Sequence, residues 1–116
     1  MKIENIKFKA KRLDGKGWAI GDLLHSYKNG AIIVPIEGGG AFSVDSDTVC
    51  QFTGLKDKNG TPIYDGDIVI YKDNYIERRG NINWDSKFAA LCFGQDFLVH
   101  YPSKNMVVVG NKFDNK

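Results

Sequence analysis

The stretch Asp47-Thr48-Val49-Cys50-Gln51-Phe52-Thr53-Gly54-Leu55-Lys56-Asp57-Lys58-Asn59-Gly60, resumed at Ile63-Tyr64-Asp65-Gly66-Asp67-Ile68-Val69, decides the reading of the whole chain. Val49 to Phe52 is a short apolar strand. Thr53-Gly54-Leu55 leads into a loop, and Asp57-Lys58-Asn59-Gly60 is a turn with Asn59 or Gly60 free to take positive φ. Ile63 and Tyr64 anchor the return. Gly66 lets the backbone turn in, and Asp67 to Tyr71 is a strand expected to be buried on both sides. Asp65 is expected to cap the turn, and Asp67 to accept backbone hydrogen bonds where the strand starts.

The same texture continues on both sides. Ile6, Lys7, Phe8, Lys9, Ala10 and Lys11 alternate, which puts Ile6, Phe8 and Ala10 on one face and the lysines on the other. Asp14-Gly15-Lys16-Gly17 turns the chain into a second strand at Trp18, so residues 6–20 read as a hairpin. Asn29-Gly30 is a further turn signal before Ala31-Ile32-Ile33-Val34, apolar on both faces and limited by Pro35. Gly38-Gly39-Gly40 is a flexible loop. Towards the C-terminus, Gly80 to Trp84 alternates with Ile82 and Trp84 pointing one way. Phe88 to Phe93 is strand or helical turn, and Phe97 to Tyr101 and Met106 to Val109 are strands. Ile68, Val69, Ile70, Trp84, Val107 and Val109 are expected in or beside the core. Nine or ten short strands at this spacing imply a mainly β sandwich or barrel.

Composition sets the outer limits. The chain has 116 residues, 42% hydrophobic and 26% charged, which is ordinary for a globular protein and excludes wholesale disorder. No apolar run approaches the roughly 20 residues of a membrane helix, and the N-terminus lacks the apolar stretch of a secretory signal. The two cysteines, Cys50 and Cys92, sit among apolar neighbours and are expected to be reduced, buried thiols in a cytoplasmic protein. The net charge of +2 is segregated: residues 1–28 carry +4, residues 29–70 carry −4 and residues 71–116 carry +2. A pI near 8.5 is below the range that marks a nucleic-acid domain.

The chemistry-bearing residues do not assemble into a known catalytic or metal pattern. Asp57 to Gly60 lacks the spacing and terminal Glu of a calcium loop. His25 and His100 have no ligand partner nearby in sequence, and there is no CxxC or HxxxH. Apolar surroundings raise a cysteine pKa, which disfavours Cys50 and Cys92 as nucleophiles. Gly38 to Gly40 lacks the Lys-Ser/Thr of a phosphate loop. No enzymatic activity, cofactor or metal is expected. The residues that suggest binding are basic: Lys7, Lys9, Lys11 and Arg12, with Arg78 and Arg79 ahead of Trp84. Basic groups beside aromatic platforms are how small barrels hold nucleic acid. A lysine row on an edge strand is equally a device against sheet-to-sheet aggregation.

The central stretch resembles the signature of the YopX family of small phage- and prophage-encoded proteins. The shared positions are Gln51, Thr53, Gly54, Leu55, Asp57, Asn59, Gly60, Ile63, Tyr64, Gly66 and Asp67. The resemblance reaches outward to the Lys7-Phe8-Lys9-Ala10 strand, to Trp18 and Gly21-Asp22-Leu23, to the Gly80-x-Ile82-x-Trp84 strand and to Gly110-Asn111. Cys50 stands where the family usually has Gly, and Asp65 where it has Glu. The resemblance implies an N-terminal β-rich portion over residues 1–48 and a small SH3-like barrel over residues 49–116, together one compact unit. It leaves the molecular role open, and every motif residue has a folding explanation.

The expected function is that of a non-enzymatic accessory module in the cytoplasm of a bacterial host. It works by self-association or by capture of a host or phage protein, with no membrane contact. Nucleic-acid binding through Lys7, Lys9, Lys11, Arg12, Arg78 and Arg79 is the less favoured alternative. It needs those groups to converge beside an exposed aromatic.

Overall fold

Alternation in the first fifty residues produces a curled antiparallel sheet. The computed structural model describes residues 2–26 and 30–115. Strand β1 (Phe8–Lys11) forms a hairpin with β2 (Trp18–Ser26), pairing Phe8 with Gly21, Ala10 with Ala19 and Lys11 with Trp18. The turn between them uses positive φ at Gly15 and Gly17. Ile6 lies before the strand and is exposed. β3 (Gly30–Val34) pairs with β2, and β4 (Phe42–Val44) pairs with β3. Asn29 of the expected Asn29-Gly30 turn lies outside the described residues. β3 is not buried on both faces: Ala31 and Ile33 are buried, whereas Ile32 and Val34 are half-buried. Gly38, Gly39 and Gly40 all take positive φ in an exposed loop.

Cys50–Phe52, the first part of β5 (Cys50–Lys56), lies on the other side of β1. β1 is therefore an interior strand. A bridge between Arg12 and Val44, with the Leu13 N–H donating to Ser43 and the Asp45 N–H to Lys11, brings the end of β4 back to the end of β1. The inner face carries Ala10, Ala19, Ala31, Ile33 and Val44, with Phe8, Leu23 and Phe42 packed against them. Small side chains on β1 and β2 let so short a sheet curl tightly over its own core. The 3-10 turn Ser46–Thr48, capped by the Asp45 carboxylate, follows β4.

These described residues, up to Phe52, form one compact unit, and Thr53–Asn115 forms another. The division falls inside β5. In the second unit β5 turns into β6 (Pro62–Tyr64), and an open five-stranded sheet follows. Its strands are β7 (Asp67–Lys72), β8 (Glu77–Asp85), β9 (Ala90–Phe93), β10 (Asp96–Phe97) and β11 (Met106–Asn111), in the order β10-β9-β8-β7-β11. The chain is mainly β with two antiparallel sheets, as the strand spacing implies. The five-stranded sheet does not close, so the barrel closure of the SH3-like expectation over residues 49–116 is not present among the described residues.

The core of the second unit is Ile63, Val69, Tyr71, Ile82, Phe93, Leu98 and Met106. β7 alternates rather than burying both faces: Asp67, Val69 and Tyr71 are buried, while Ile68 and Ile70 are half-buried. Trp84 is 53% exposed and Val109 is also exposed, which corrects their placement in the core; Val107 is half-buried. Ile82 and Trp84 do share a face, but β8 runs past the end of the core before it reaches Trp84. Of the expected strand Phe97 to Tyr101, only Phe97 lies in a strand, β10; Leu98–His100 is a 3-10 turn that drops Leu98 into the core.

Candidate functional site

The central motif folds into a hydrogen-bond lock. Gly54 takes φ +86°, which kinks β5. The Thr53 hydroxyl fills the break, accepting from the Leu55 N–H at 3.1 Å and donating to the Ile63 carbonyl at 2.8 Å. Asp57 is 6% exposed. One carboxylate oxygen accepts the N–H groups of Asn59 and Thr61, both at 2.9 Å, which closes the turn at Gly60. The other accepts the Val108 N–H at 2.9 Å, and the Lys58 N–H donates to the Met106 carbonyl at 3.0 Å. Burial pushes the Asp57 carboxyl up, but backbone donors from Val108, Thr61 and Asn59 outweigh it and hold it below its ordinary value.

Asp67 is wholly buried. It accepts the Tyr64 N–H at 2.7 Å and the Asn111 side-chain amide at 2.9 Å. The expected backbone bond at the strand's start is present, and the Asn111 contact ties the beginning of β7 to the end of β11. Gly66 takes φ +95°, donates to the Ile82 carbonyl and accepts from the Lys112 N–H. Gly80 is explained by the Phe93 ring, whose Cε1 would lie 2.8 Å from a Cβ there. Ile63 and Tyr64 are buried, while Gln51 and Leu55 are exposed. Asp65 accepts the Trp84 N–H at 3.3 Å, so it reaches β8 instead of capping its own turn.

The basic residues divide between the two units. Lys7, Lys9 and Lys11 share the outer face of β1, each laid against an aromatic ring. Lys7 lies 4.6 Å from the Phe52 ring centre, and Lys9 and Lys11 lie 4.9 and 5.3 Å from that of Trp18. Arg12 stacks on Phe42 and pairs with Asp14. Arg78, in the second unit, pairs with Asp96, donates to the Tyr101 hydroxyl at 2.7 Å and stacks on Phe93. The Asp96 carboxylate raises the Arg78 pKa further, and Arg78 in turn lowers that of Asp96. Arg79 is exposed and points away from Arg78.

The second unit also holds an apolar groove of about 530 Å³ that the sequence did not announce. Its walls come from Thr53 and Leu55 of the motif, Ala90 and Leu91 of β9, and the segment Phe97 to Ser103 apart from His100. Val99, 85% exposed, stands at its rim. The Phe97 ring meets that of Phe88 edge-on at 5.5 Å, and both rings are exposed. A cluster of exposed apolar residues on one short segment was the available signal, but the strand expected at Phe97 to Tyr101 hid it. No group of three or more His, Cys, Asp or Glu gathers as a metal site among the described residues. Cys50 and Cys92 are buried and form no disulfide, as their neighbours imply. No helix among the described residues is long and apolar enough to cross a membrane.

A family model described as YopX protein matches residues 7–116. No curated protein matches the chain, and no solved structure does. The matched span includes the Thr53 relay, the Asp57 lock and the Asp67–Asn111 tie, and it covers nearly the whole sequence: the chain belongs to the YopX family.

Proposed function

We propose that this chain is a phage- or prophage-encoded accessory protein of the bacterial cytoplasm that works without catalysis, by docking a protein partner in the groove of its second unit. The observation that carries the reading is the groove's chemistry. Leu55, Leu91, Phe97, Leu98 and Val99 supply its surface, and Thr53, Tyr101 and Ser103 bring hydroxyl groups to it. Its size is that of a site for a few side chains. The nearby carboxylates serve the fold: Asp57 is saturated by backbone donors and Asp96 is held by Arg78 and Tyr101. An apolar cleft rimmed by exposed aromatic rings is the form of a protein-docking surface.

The test is affinity capture from nuclease-treated lysate of a phage-bearing host, run beside sedimentation of the purified protein. Val99→Asp puts a charge at the rim, where the side chain contributes little to stability. A protein retained by the wild type and lost with Val99→Asp supports the reading, as does a self-associated species lost in the same way. A monomer that retains nothing, or capture indifferent to Val99→Asp, overturns it.

A further inference from the structure

We infer that the outer face of β1 and β2 binds single-stranded nucleic acid, with Lys7, Lys9 and Lys11 on successive phosphates and Trp18 against a base. The inference is carried by the first unit alone and is independent of the groove. A lysine row on an edge strand has an ordinary explanation in blocking sheet-to-sheet pairing. That explanation fails here, because β1 is flanked by β2 and β5. Three ammonium groups nonetheless stand on one face of an interior strand, opposite the core residues Phe8 and Ala10.

Geometry identifies the class of ligand. Alternate residues of a strand are about 6.6 Å apart, a separation like that of neighbouring phosphates in an extended single strand. The ladder sets Trp18 beside Lys11 and Ile20 beside Lys9, and Ile20 is exposed. The face thus alternates cation, ring and aliphatic side chain, the combination that holds bases and backbone together without reading sequence. Lys9 and Lys11 both lean over the Trp18 ring. A base stacking on that ring takes the place of a lysine contact, and Lys11 then faces the neighbouring phosphate. Asp22, further along β2 on the same face, limits the row to three cations at that end.

The test uses the full chain and a fluorescein-labelled oligo-dT read by anisotropy. Three phosphates neutralised on a single strand predict a salt slope near −2, so affinity falls roughly 20-fold between 50 and 200 mM salt. Lys7→Gln with Lys11→Gln should flatten that slope by about 1.4, while Lys7→Arg with Lys11→Arg should keep it. Ultraviolet cross-linking of bromouridine RNA to the wild type should place the adduct on the Trp18 peptide, which keeps the test independent of any variant's folding. No binding at 50 mM salt, an unchanged slope in the glutamine variant, or an adduct elsewhere overturns the inference. Equal binding of a duplex, or of phosphatidylserine vesicles, overturns the single-strand assignment.

Discussion

The Asp57 carboxylate accepts the backbone N–H of Val108 at 2.9 Å, across a sequence separation of 51 residues. Its other oxygen closes the turn by accepting from Asn59 and Thr61. Asp57→Ala removes all three acceptor contacts at a buried position and should cost about 3 kcal/mol. Asp57→Asn keeps a single carbonyl oxygen, which serves the turn or Val108 but not both, so its loss should be intermediate. Urea unfolding of the two variants beside the wild type checks the order.

The same carboxylate sets an acid limit. Its pKa is held below the ordinary range in the folded chain, so the native state favours the charged form. That stabilisation is fully present above the unfolded carboxyl pKa of about 3.9. It is lost as pH falls from there through the depressed folded value. Thermal melts of the wild type should fall steeply in this acid window. Asp57→Asn should be less stable at neutral pH and should lose less on acidification. Parallel curves for the two proteins would show that the acid sensitivity comes from elsewhere.

Gly21 is needed for space. A Cβ there would lie 2.2 Å from the Val34 carbonyl oxygen and 2.8 Å from the Pro35 Cα, and backbone cannot move aside cheaply. Gly21→Ala should cost about 3 kcal/mol, the upper end of overpacking penalties. Gly80→Ala meets the Phe93 ring, a side chain, and should cost less. Gly60, at φ +81° in open surroundings, should tolerate Asn better than Val. Melting temperatures of the four variants test the ranking.

Ile82→Ala should cost about 2–5 kcal/mol, since the side chain is fully buried. Trp84→Ala, two residues on along the same face, should cost less than about 1 kcal/mol, because the ring stands largely in water. Ile68→Ala falls between them, since Ile68 is half-buried. Chemical unfolding of the three variants decides whether the core ends where the structure ends it.

That pair shows how far the sequence carries. Alternation identified β1, the hairpin and the shared face of Ile82 and Trp84, because period-two patterning is local, whereas β7 was found as an apolar run and its alternation was missed. It did not show where the core stops along β8, since that depends on which strands lie across it. The turn at Gly66 was legible because that glycine stands where the chain must change direction. The Asp57–Val108 and Asp67–Asn111 bonds were not, since nothing local records a partner more than forty residues away. The lysine row was legible as chemistry. Its meaning changed only when β1 proved to have a neighbour on each side. The groove was hidden by the opposite problem, because Phe97 to Tyr101 reads as a strand until Leu98 turns inward.

The Asp57-Lys58 corner also decides how copies of this protein meet. On the side of β11 away from β7, the Met106 carbonyl and the Val108 N–H already have partners in that corner, and the Asn111 N–H is taken by Asp114. A strand arriving from another molecule would find these three groups already bonded. Fibre growth by sheet extension is opposed at those three rungs, and an assembly formed there leans the more on side chains, which discriminate between partners where backbone does not.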